Sequence, residues 1–416
     1  MRVYKFGGAS ISDASGVINL AEIVKTQFFF TGILVISAMG KTTNALEEIV
    51  SEYCGGRDYV PGLEKIKQNH LSVAGELFPE NKNGMRRISR FFEELKEFLA
   101  EEHKNRDYNF LYDQVVSVGE RVSSSMVSIY LEEEGYKNKW LDVRNFIKTD
   151  STYREGVVDW SRTEEEIKKL AGDTLYVTQG FLGSDKNDFT VTLGREGSDY
   201  TAAIFSSVLN AKEATIWKDV PGVMTGDPKK FSDPEVLPYI SYEEALEMAY
   251  YGASVIHEKT LQPLKQKNIP LYVKSFSEPE KQGTKISDSD KSKKKTMYIL
   301  KENQILLRLK TRDFSFVTEE SINTLFSVLA REKMRVHLMQ SSAISFVVCI
   351  EDKYGNIENT INILEKIFSV EVIKSVSLLT VRDGATKDVG NLFPGGRVLL
   401  EQVFRDVRQI VYRNFV

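Results

Sequence analysis

Thr192-Leu193-Gly194-Arg195-Glu196-Gly197-Ser198-Asp199-Tyr200-Thr201 follows an apolar strand and opens a helix of small residues. Two glycines, a guanidinium, a hydroxyl and two carboxylates fall from Gly194 to Asp199. Such a turn makes a poor core and a good cradle for an anion, because a helix start offers unpaired N–H groups and the positive end of a dipole. Taken alone it also reads as an ordinary turn and cap. Two other segments share its construction. Val3-Tyr4-Lys5-Phe6-Gly7-Gly8-Ala9-Ser10 is a strand, paired glycines and a helix start, and Ala214–Val223 is a strand running into Pro221-Gly222. Open α/β sheets place ligands at the carboxyl ends of their strands, so these three ends predict one shared site.

Around these ends, residues 1 to about 290 alternate apolar strands (Val3–Phe6, Ile33–Ser37, Leu175–Thr178, Ala214–Trp217, Pro270–Lys274) with amphipathic helices (Val17–Thr26, Ser123–Glu134, Thr163–Ala171, Tyr242–Tyr251). That alternation predicts an α/β fold, a mostly parallel sheet sandwiched by helices. Residues 63–104 are charged and helix-periodic, with Phe91, Phe92, Leu95, Phe98 and Leu99 on one stripe, which predicts a helical insertion with an aromatic core face. Over Gly283–Lys301 the composition shifts to Ser, Asp and Lys, marking a boundary. Beyond it Leu306–Asp313 is echoed by Ser377–Asp383, each a strand ending in Arg-Asp. The first copy continues as helix Ser321–Lys333, strands Arg335–Leu338 and Ile344–Ile350, and helix Ile357–Phe368. The second is curtailed, with a short helix position at Ala385–Phe393 and strands Val398–Arg405 and Gln409–Arg413. The expected domains are therefore 1–290, 302–370 and 371–416.

A chain of 416 residues with 55 basic and 59 acidic side chains has room for several cores and no electrostatic signature of a nucleic-acid or membrane partner. Lys291–Lys295 is the one basic run, and without interleaved aromatics it reads as a solvated linker. Cys54 and Cys349 have no metal-site spacing and suit a reducing compartment. No run reaches the roughly 18 apolar residues of a membrane span, and the N-terminus lacks a signal-peptide pattern. A cytoplasmic protein is expected.

Lys-Phe-Gly-Gly-Ala-Ser at 5–10, Ser-Ala-Met-Gly-Lys-Thr-Thr-Asn at 37–44, Ser-Val-Gly-Glu at 117–120, Thr-Gln-Gly-Phe at 178–181, Gly-Arg-Glu-Gly-Ser-Asp at 194–199 and Tyr-Gly-Ala-Ser-Val-Ile-His at 251–257 stand in the order found in aspartate kinases. The chain resembles that family, part of the amino acid kinases, along essentially its whole length. The resemblance implies an amino acid kinase-type sheet followed by α+β, ferredoxin-like ACT modules that sense amino acids. It implies ATP with Mg²⁺ as co-substrate and its metal, with no metal site of the protein's own. By the same resemblance Lys5 is the catalytic lysine and Asp199 orients it. Ser37, Thr43, Glu120, Arg195 and Ser198 match aspartate-binding positions, while Lys5, Phe6, Gly7, Gly8, Ser10, Lys218, Asp219, Met224, Lys229, Ser254 and Val255 match nucleotide-binding ones.

The chemistry is coherent. Phosphoryl transfer needs positioning and charge neutralisation more than covalent help, and an aspartate β-carboxylate is already ionised at pH 7, its reference pKa being about 3.9. Arg195 suits an α-carboxylate and Glu120 an ammonium. His257 reads as a structural histidine. Some positions depart from the family: Lys218 stands for Thr, Met224 for Tyr, Lys229 for Arg, Ser254 for Lys and Glu258 for Pro. Acidic positions beside the effector in lysine-inhibited relatives fall on His337 and Ala343, and Gln340, Ser341 and Ser342 offer an uncharged surface. A small hydroxy amino acid such as threonine is expected there in preference to lysine. The expected activity is formation of 4-phospho-L-aspartate, the first step toward lysine, threonine and methionine, in a homodimer joined through ACT-like modules. Two alternatives stand beside it, a kinase for another small acidic amino acid and a catalytically inactive amino acid sensor.

Overall fold

Runs such as Gly32-Ile33-Leu34-Val35-Ile36 carry no polar side chain for either face, the pattern of a strand covered by helices on both sides. The computed structural model describes residues 1–27, 31–101, 107–170, 172–253, 256–288, 295–313, 315–386, 389–392 and 395–413. It divides into a first unit of residues 1–223, 236–246 and 254–292 and a second of residues 224–235, 247–253 and 293–416. In chain order the elements up to residue 286 are β1 (Arg2–Phe6), α1 (Ala14–Gln27), β2 (Gly32–Ile36), α2 (Thr42–Cys54), α3 (Val60–Leu77), α4 (Lys82–Ala100), α5 (Tyr108–Glu133), β3 (Lys139–Leu141), α6 (Trp160–Ile167), β4 (Leu175–Gln179), β5 (Leu182–Ser184), β6 (Thr190–Thr192), α7 (Gly197–Val208), β7 (Ala214–Lys218), β8 (Tyr239–Ile240), α8 (Tyr242–Tyr251), α9 (Glu258–Gln266), β9 (Leu271–Ser275) and β10 (Thr284–Ile286).

The main sheet has the order β3-β4-β2-β1-β7-β9-β10-β8, parallel except where β9 meets β10. Side-chain alternation splits it into two cores. Tyr4, Phe6, Leu34, Ile36 and Trp217 face one core with α1, α2 and the α3–α5 layer, whereas Val3, Ile33 and Val35 face a second with α7. Phe6 and Trp217 stack there at 6.1 Å, nearly parallel. The helical insertion forms as α3 and α4, with Phe91, Phe92, Leu95 and Leu99 buried and Phe98 partly so. One helix is much longer than its periodicity predicts: α5 runs from Tyr108, not Ser123, and is buried along nearly its whole length. Gly119 allows its close packing on the 38–42 loop, since a Cβ there would lie 3.1 Å from Ala38 Cβ and 3.2 Å from Thr42 Cγ2. Some of its serines bond back to the helix, as where Ser117 Oγ donates to Gln114 O at 2.7 Å and Ser124 Oγ to Arg121 O at 3.2 Å.

The second unit contains β11 (Met297–Thr311), α10 (Glu319–Arg331), β12 (Arg335–Ser341), β13 (Ser345–Glu351), α11 (Ile357–Leu364), β14 (Phe368–Arg382), β15 (Arg397–Phe404) and β16 (Val407–Arg413). They form one antiparallel sheet in the order β12-β13-β11-β14-β16-β15. β11 and β14 pair along their length with register shifts between Lys301 and Leu306. The second half of β11 carries β13, and the second half of β14 carries β16. The first half of β14 thereby completes the sheet of the first β-α-β-β-α copy, and α10 and α11 cover it through Leu307, Leu309, Leu325 and Phe346. A short 3₁₀ turn, Gly390–Leu392, occupies the second copy's expected helix position, of which residues 387, 388 and 393 lie outside the described residues. Segment 224–235 clusters with this unit because Tyr298 N–H donates to Thr225 O at 2.7 Å and Phe231 packs on Tyr298. Among the described residues no helix is long and apolar enough to cross a membrane.

Candidate active site

Strand register brings the carboxyl ends together. Phe6 lies level with Ile36 on one side and Trp217 on the other, and Ile36 with Gln179. The chain leaves β1 toward β2 and β4 on one side and later toward β7 and β9 on the other, so β1 and β7 flank the topological switch point where such sheets open a crevice. Backbone bonds lock the loops there: Ser37 N–H donates to Phe6 O at 3.2 Å, Gly40 N–H to Gly8 O at 2.9 Å and Gly180 N–H to Ile36 O at 2.9 Å. Gly8 is obligatory, because a Cβ would stand 2.3 Å from Ala38 O. Ser10 is buried and its Oγ has no hydrogen-bond partner.

Lys5 lies on the α7 face of the sheet because it shares parity with Val3, and Lys218 joins it because Ile216 is level with Lys5. Both meet Asp199 in the first turn of α7. Lys5 Nζ is 2.7 Å from Asp199 Oδ1 and Lys218 Nζ is 3.1 Å from Oδ2, with the Asp199 side chain only 2% exposed. Burial would raise the Asp199 pKa, but Lys218 and Lys5 outweigh it and hold the carboxyl below its usual range. Burial likewise opposes the charge on Lys218, and Asp199 and Glu196 overcome it, raising its pKa. Glu196, before the helix, adopts a left-handed backbone at φ 52°. Its Oε2 is buried without a hydrogen-bond partner, and burial raises its pKa against the pull of Lys218.

On the neighbouring strand ends stands Glu120, midway along α5 rather than at a helix start, and 3% exposed. Burial pushes its carboxyl up to about 8, against hydrogen bonds from the backbone and the Thr43 side chain, and its Oε2 has no hydrogen-bond partner. Ser123 Oγ donates to Ser37 O at 2.7 Å, tying the Ser37 loop to the same helix. Asp113, about two turns earlier on α5, is fully buried and was not singled out by its sequence. Thr192 N–H donates to its Oδ2 at 2.9 Å, Arg154 N–H to Oδ2 at 3.0 Å and Thr192 Oγ1 to Oδ1 at 2.7 Å. Asp113 thereby anchors the turn carrying Arg195 and Ser198 to the helix carrying Glu120. Ser198 is buried at the start of α7 against Gly180, and Arg195 is exposed.

The remaining expected residues divide. Gly7 N–H donates to Trp217 O at 3.4 Å, and Asp219 is exposed just past β7. Phe6 turns its ring into the core and commits its carbonyl to Ser37. Met224 and Lys229 fall in the second unit's segment 224–235, and Ser254 and Val255 lie outside the described residues. His257 caps α9, its Nδ1 accepting from Lys259 N–H at 3.3 Å. Gln340, Ser341 and Ser342 are exposed at the β12–β13 hairpin. Nearby His337 lies between Lys301 Nζ at 2.8 Å and Glu351 Oε2 at 3.1 Å; burial, then Lys301, lowers its pKa to about 4. Among the described residues no group of three or more His, Cys, Asp or Glu could hold a metal unaided. Glu196 could have been found in sequence only as a bulky residue at a position needing positive φ, and Asp113 carries no motif.

The profile of the amino acid kinase family matches residues 1–275. The chain is 30% identical over 435 residues to the chloroplastic aspartokinase 2 of Arabidopsis thaliana, covering 98% of this chain and 77% of that one. It is 31% identical over 360 residues to the lysine-sensitive aspartokinase 3 of Escherichia coli, covering 84% and 78%. The crystal structure of E. coli aspartokinase III in complex with aspartate and ADP superposes with a TM-score of 0.83 at 26% identity, covering 99% of this chain and 95% of that one.

Replacing Asp113 by Leu keeps the branched shape but removes the acceptor oxygens of two N–H groups and a hydroxyl. Thermal or urea unfolding should show a loss of about 1–3 kcal/mol, the cost of buried donors left unsatisfied; unchanged stability would mean that the three bonds do not hold the turn.

Proposed function

The chain belongs to the amino acid kinase family, among its aspartokinases, and we propose that it transfers the γ-phosphoryl group of ATP to the β-carboxylate of L-aspartate, forming 4-phospho-L-aspartate. The observation that carries this reading is Glu120, a buried carboxylate with an oxygen that lacks a hydrogen-bond partner and with no cation paired to it among the described residues. A buried carboxyl of that kind gains its charged form by taking up an acceptor that bears an ammonium group. Arg195 and Ser198 then take the α-carboxylate, and Thr43 and the Ser37 loop frame the remainder.

The β-carboxylate is ionised at neutral pH and needs no general base. One of its oxygens bonds to the γ-phosphorus as the bond to the β-phosphate bridging oxygen breaks, and ADP leaves with that electron pair. Lys5 and Lys218 neutralise charge on the transferring group, and Asp199 fixes both ammonium groups before substrate arrives, so little reorganisation remains for the reaction. The Gly7–Ser10 backbone receives phosphate oxygens. Mg²⁺ carried by the nucleotide would find a protein carboxylate in Glu196, whose Oε2 has no hydrogen-bond partner, since magnesium commonly takes one or two carboxylates besides phosphate, and it would neutralise phosphate charge there.

In the second unit, the repeated β-α-β-β-α copy supports an ACT-like amino acid sensor, with Gln340, Ser341 and Ser342 at an uncharged hairpin beside edge strand β12. We place threonine ahead of lysine there because His337 already faces the Lys301 ammonium. A homodimer through this unit and a cytoplasmic role at the head of lysine, threonine and methionine synthesis complete the proposal.

ADP release from Mg·ATP with L-aspartate, with the acyl phosphate trapped as hydroxamate, tests the reaction. Wild type should turn over only with aspartate, and Lys5→Ala should lose at least about 10²-fold in kcat, as for removal of one preorganised charge donor. A well-folded wild type without turnover would move the chain to a sensor or to a kinase for another acceptor.

Because the Glu120 carboxyl titrates near 8 in the free protein, its charged form becomes available as pH rises. The KM for aspartate should fall by up to about tenfold per pH unit between pH 6 and 8, and Glu120→Gln should flatten that profile. The sign for folding is opposite: a raised carboxyl stabilises the fold below its unfolded pKa, and that contribution is lost as pH rises through about 8.

Titration with L-lysine should leave the activity near its starting level up to millimolar concentration. Micromolar inhibition would overturn the assignment of the hairpin surface.

A further inference from the structure

The loop that carries Thr43 has a second face. A cavity of about 260 Å³ borders Met39, Gly40, Lys41 and Thr42 and reaches His70 on α3, and neither Thr43 nor Glu120 lines it. On this side the loop therefore borders open, solvent-accessible space, with few side chains to hold it. What reaches across from α3 is His70, 5% exposed.

Hydrogen counting shows what His70 does there. Its Nδ1 is 2.8 Å from Ile66 O. A carbonyl can only accept, so Nδ1 carries a hydrogen, and in the neutral ring Nε2 is a bare acceptor. Burial lowers the His70 pKa, which favours that neutral ring. Nε2 faces Thr42 Oγ1 at 3.4 Å. The Thr42 hydroxyl has one hydrogen, and it points to Met39 O at 2.6 Å. Two acceptors therefore compete for one hydrogen. The turn survives either choice, because Thr42 N–H also donates to Met39 O at 3.0 Å. On its other side Thr42 touches α5 at Gly119, next to Glu120.

We propose that His70 is a positioning residue for acceptor binding: its Nε2 competes with Met39 O for the Thr42 hydroxyl hydrogen, and so sets how Thr42 seats between α3 and α5 and where it presents Thr43 to Glu120. The inference rests on the aspartate kinase reading. It assigns to a helix of the insertion, remote from the phosphoryl-transfer lysines, control over one substrate and not the other.

Three variants test it on the full chain. His70→Asn keeps a donor for Ile66 O and cannot reach Thr42; His70→Gln restores a polar group at the Nε2 position; Thr42→Val removes the hydroxyl and keeps the shape. His70→Asn and Thr42→Val should each raise the KM for aspartate about tenfold while kcat and the KM for ATP stay within about twofold, a pattern of lost ground-state binding. His70→Gln should return the aspartate KM to within about threefold of wild type, and the His70→Asn/Thr42→Val double variant should be no worse than either alone, because the two act as one unit. An unchanged aspartate KM in both single variants, equal rises for both substrates, or multiplying effects would overturn the proposal. If His70→Asn does not fold, Thr42→Val alone decides it by the same split. A wild type that shows no aspartate-dependent turnover overturns the kinase reading, and this inference with it; an active wild type with insensitive variants overturns only this inference.

Discussion

One carboxylate shared by two ammonium groups at the middle of a sheet is the constraint from which the catalytic unit is organised. Asp199 is buried where an isolated charge would be untenable, and Lys218 and Lys5 outweigh that burial and keep it ionised. That requires β1 and β7 to be neighbours in one register and α7 to start above their ends. Shifting either strand by one residue would turn its lysine to the opposite face, into the aromatic layer of Phe6 and Trp217. The stacked rings on one face and the ion pairs on the other therefore enforce the same register.

Helix α5 shows how hydrogen bonding distinguishes two chemically similar buried groups. Asp113 and Glu120 lie on one helix, both out of solvent. Asp113 receives hydrogen bonds from Thr192 and Arg154 and serves the fold. Glu120 keeps an oxygen without a hydrogen-bond partner, and its carboxyl is pushed far above the ordinary range. A polar group left in that condition is a cost to stability, and the cost is sensible at the place where a charged ligand would remove it. The left-handed Glu196 follows the same logic, as a strained residue beside the lysine pair.

The second unit is built on a different economy, one of shared strands. β11 and β14 each serve two copies of a small β-sheet motif, so neither copy has a free inner edge. A helix-poor second copy is tolerated because its sheet face packs through Leu306, Val376, Leu378 and Val411. His337, Lys301 and Glu351 satisfy one another within that sheet.

Much of this was legible in the linear chain. The glycine-rich strand ends, the βαβ alternation, the aromatic stripe of the insertion and the repeated Arg-Asp strands are local patterns, and local patterns survive in sequence because backbone geometry imposes periods of 2 and 3.6. Lys5, Asp199 and Glu120 could be singled out because each sits in a glycine-bearing motif. Tertiary structure alone decided the rest. That Lys218 shares Asp199 with Lys5 depends on strand order; that α5 packs closely on the 38–42 loop depends on Gly119 meeting Ala38 and Thr42; and the positions of Asp113 and His70 depend on partners 79 and 28 residues away. Such pairings leave no periodic trace, because the energy of a buried hydrogen bond or ion pair depends on distance in space and on the exclusion of water, and neither is written in the order of the residues.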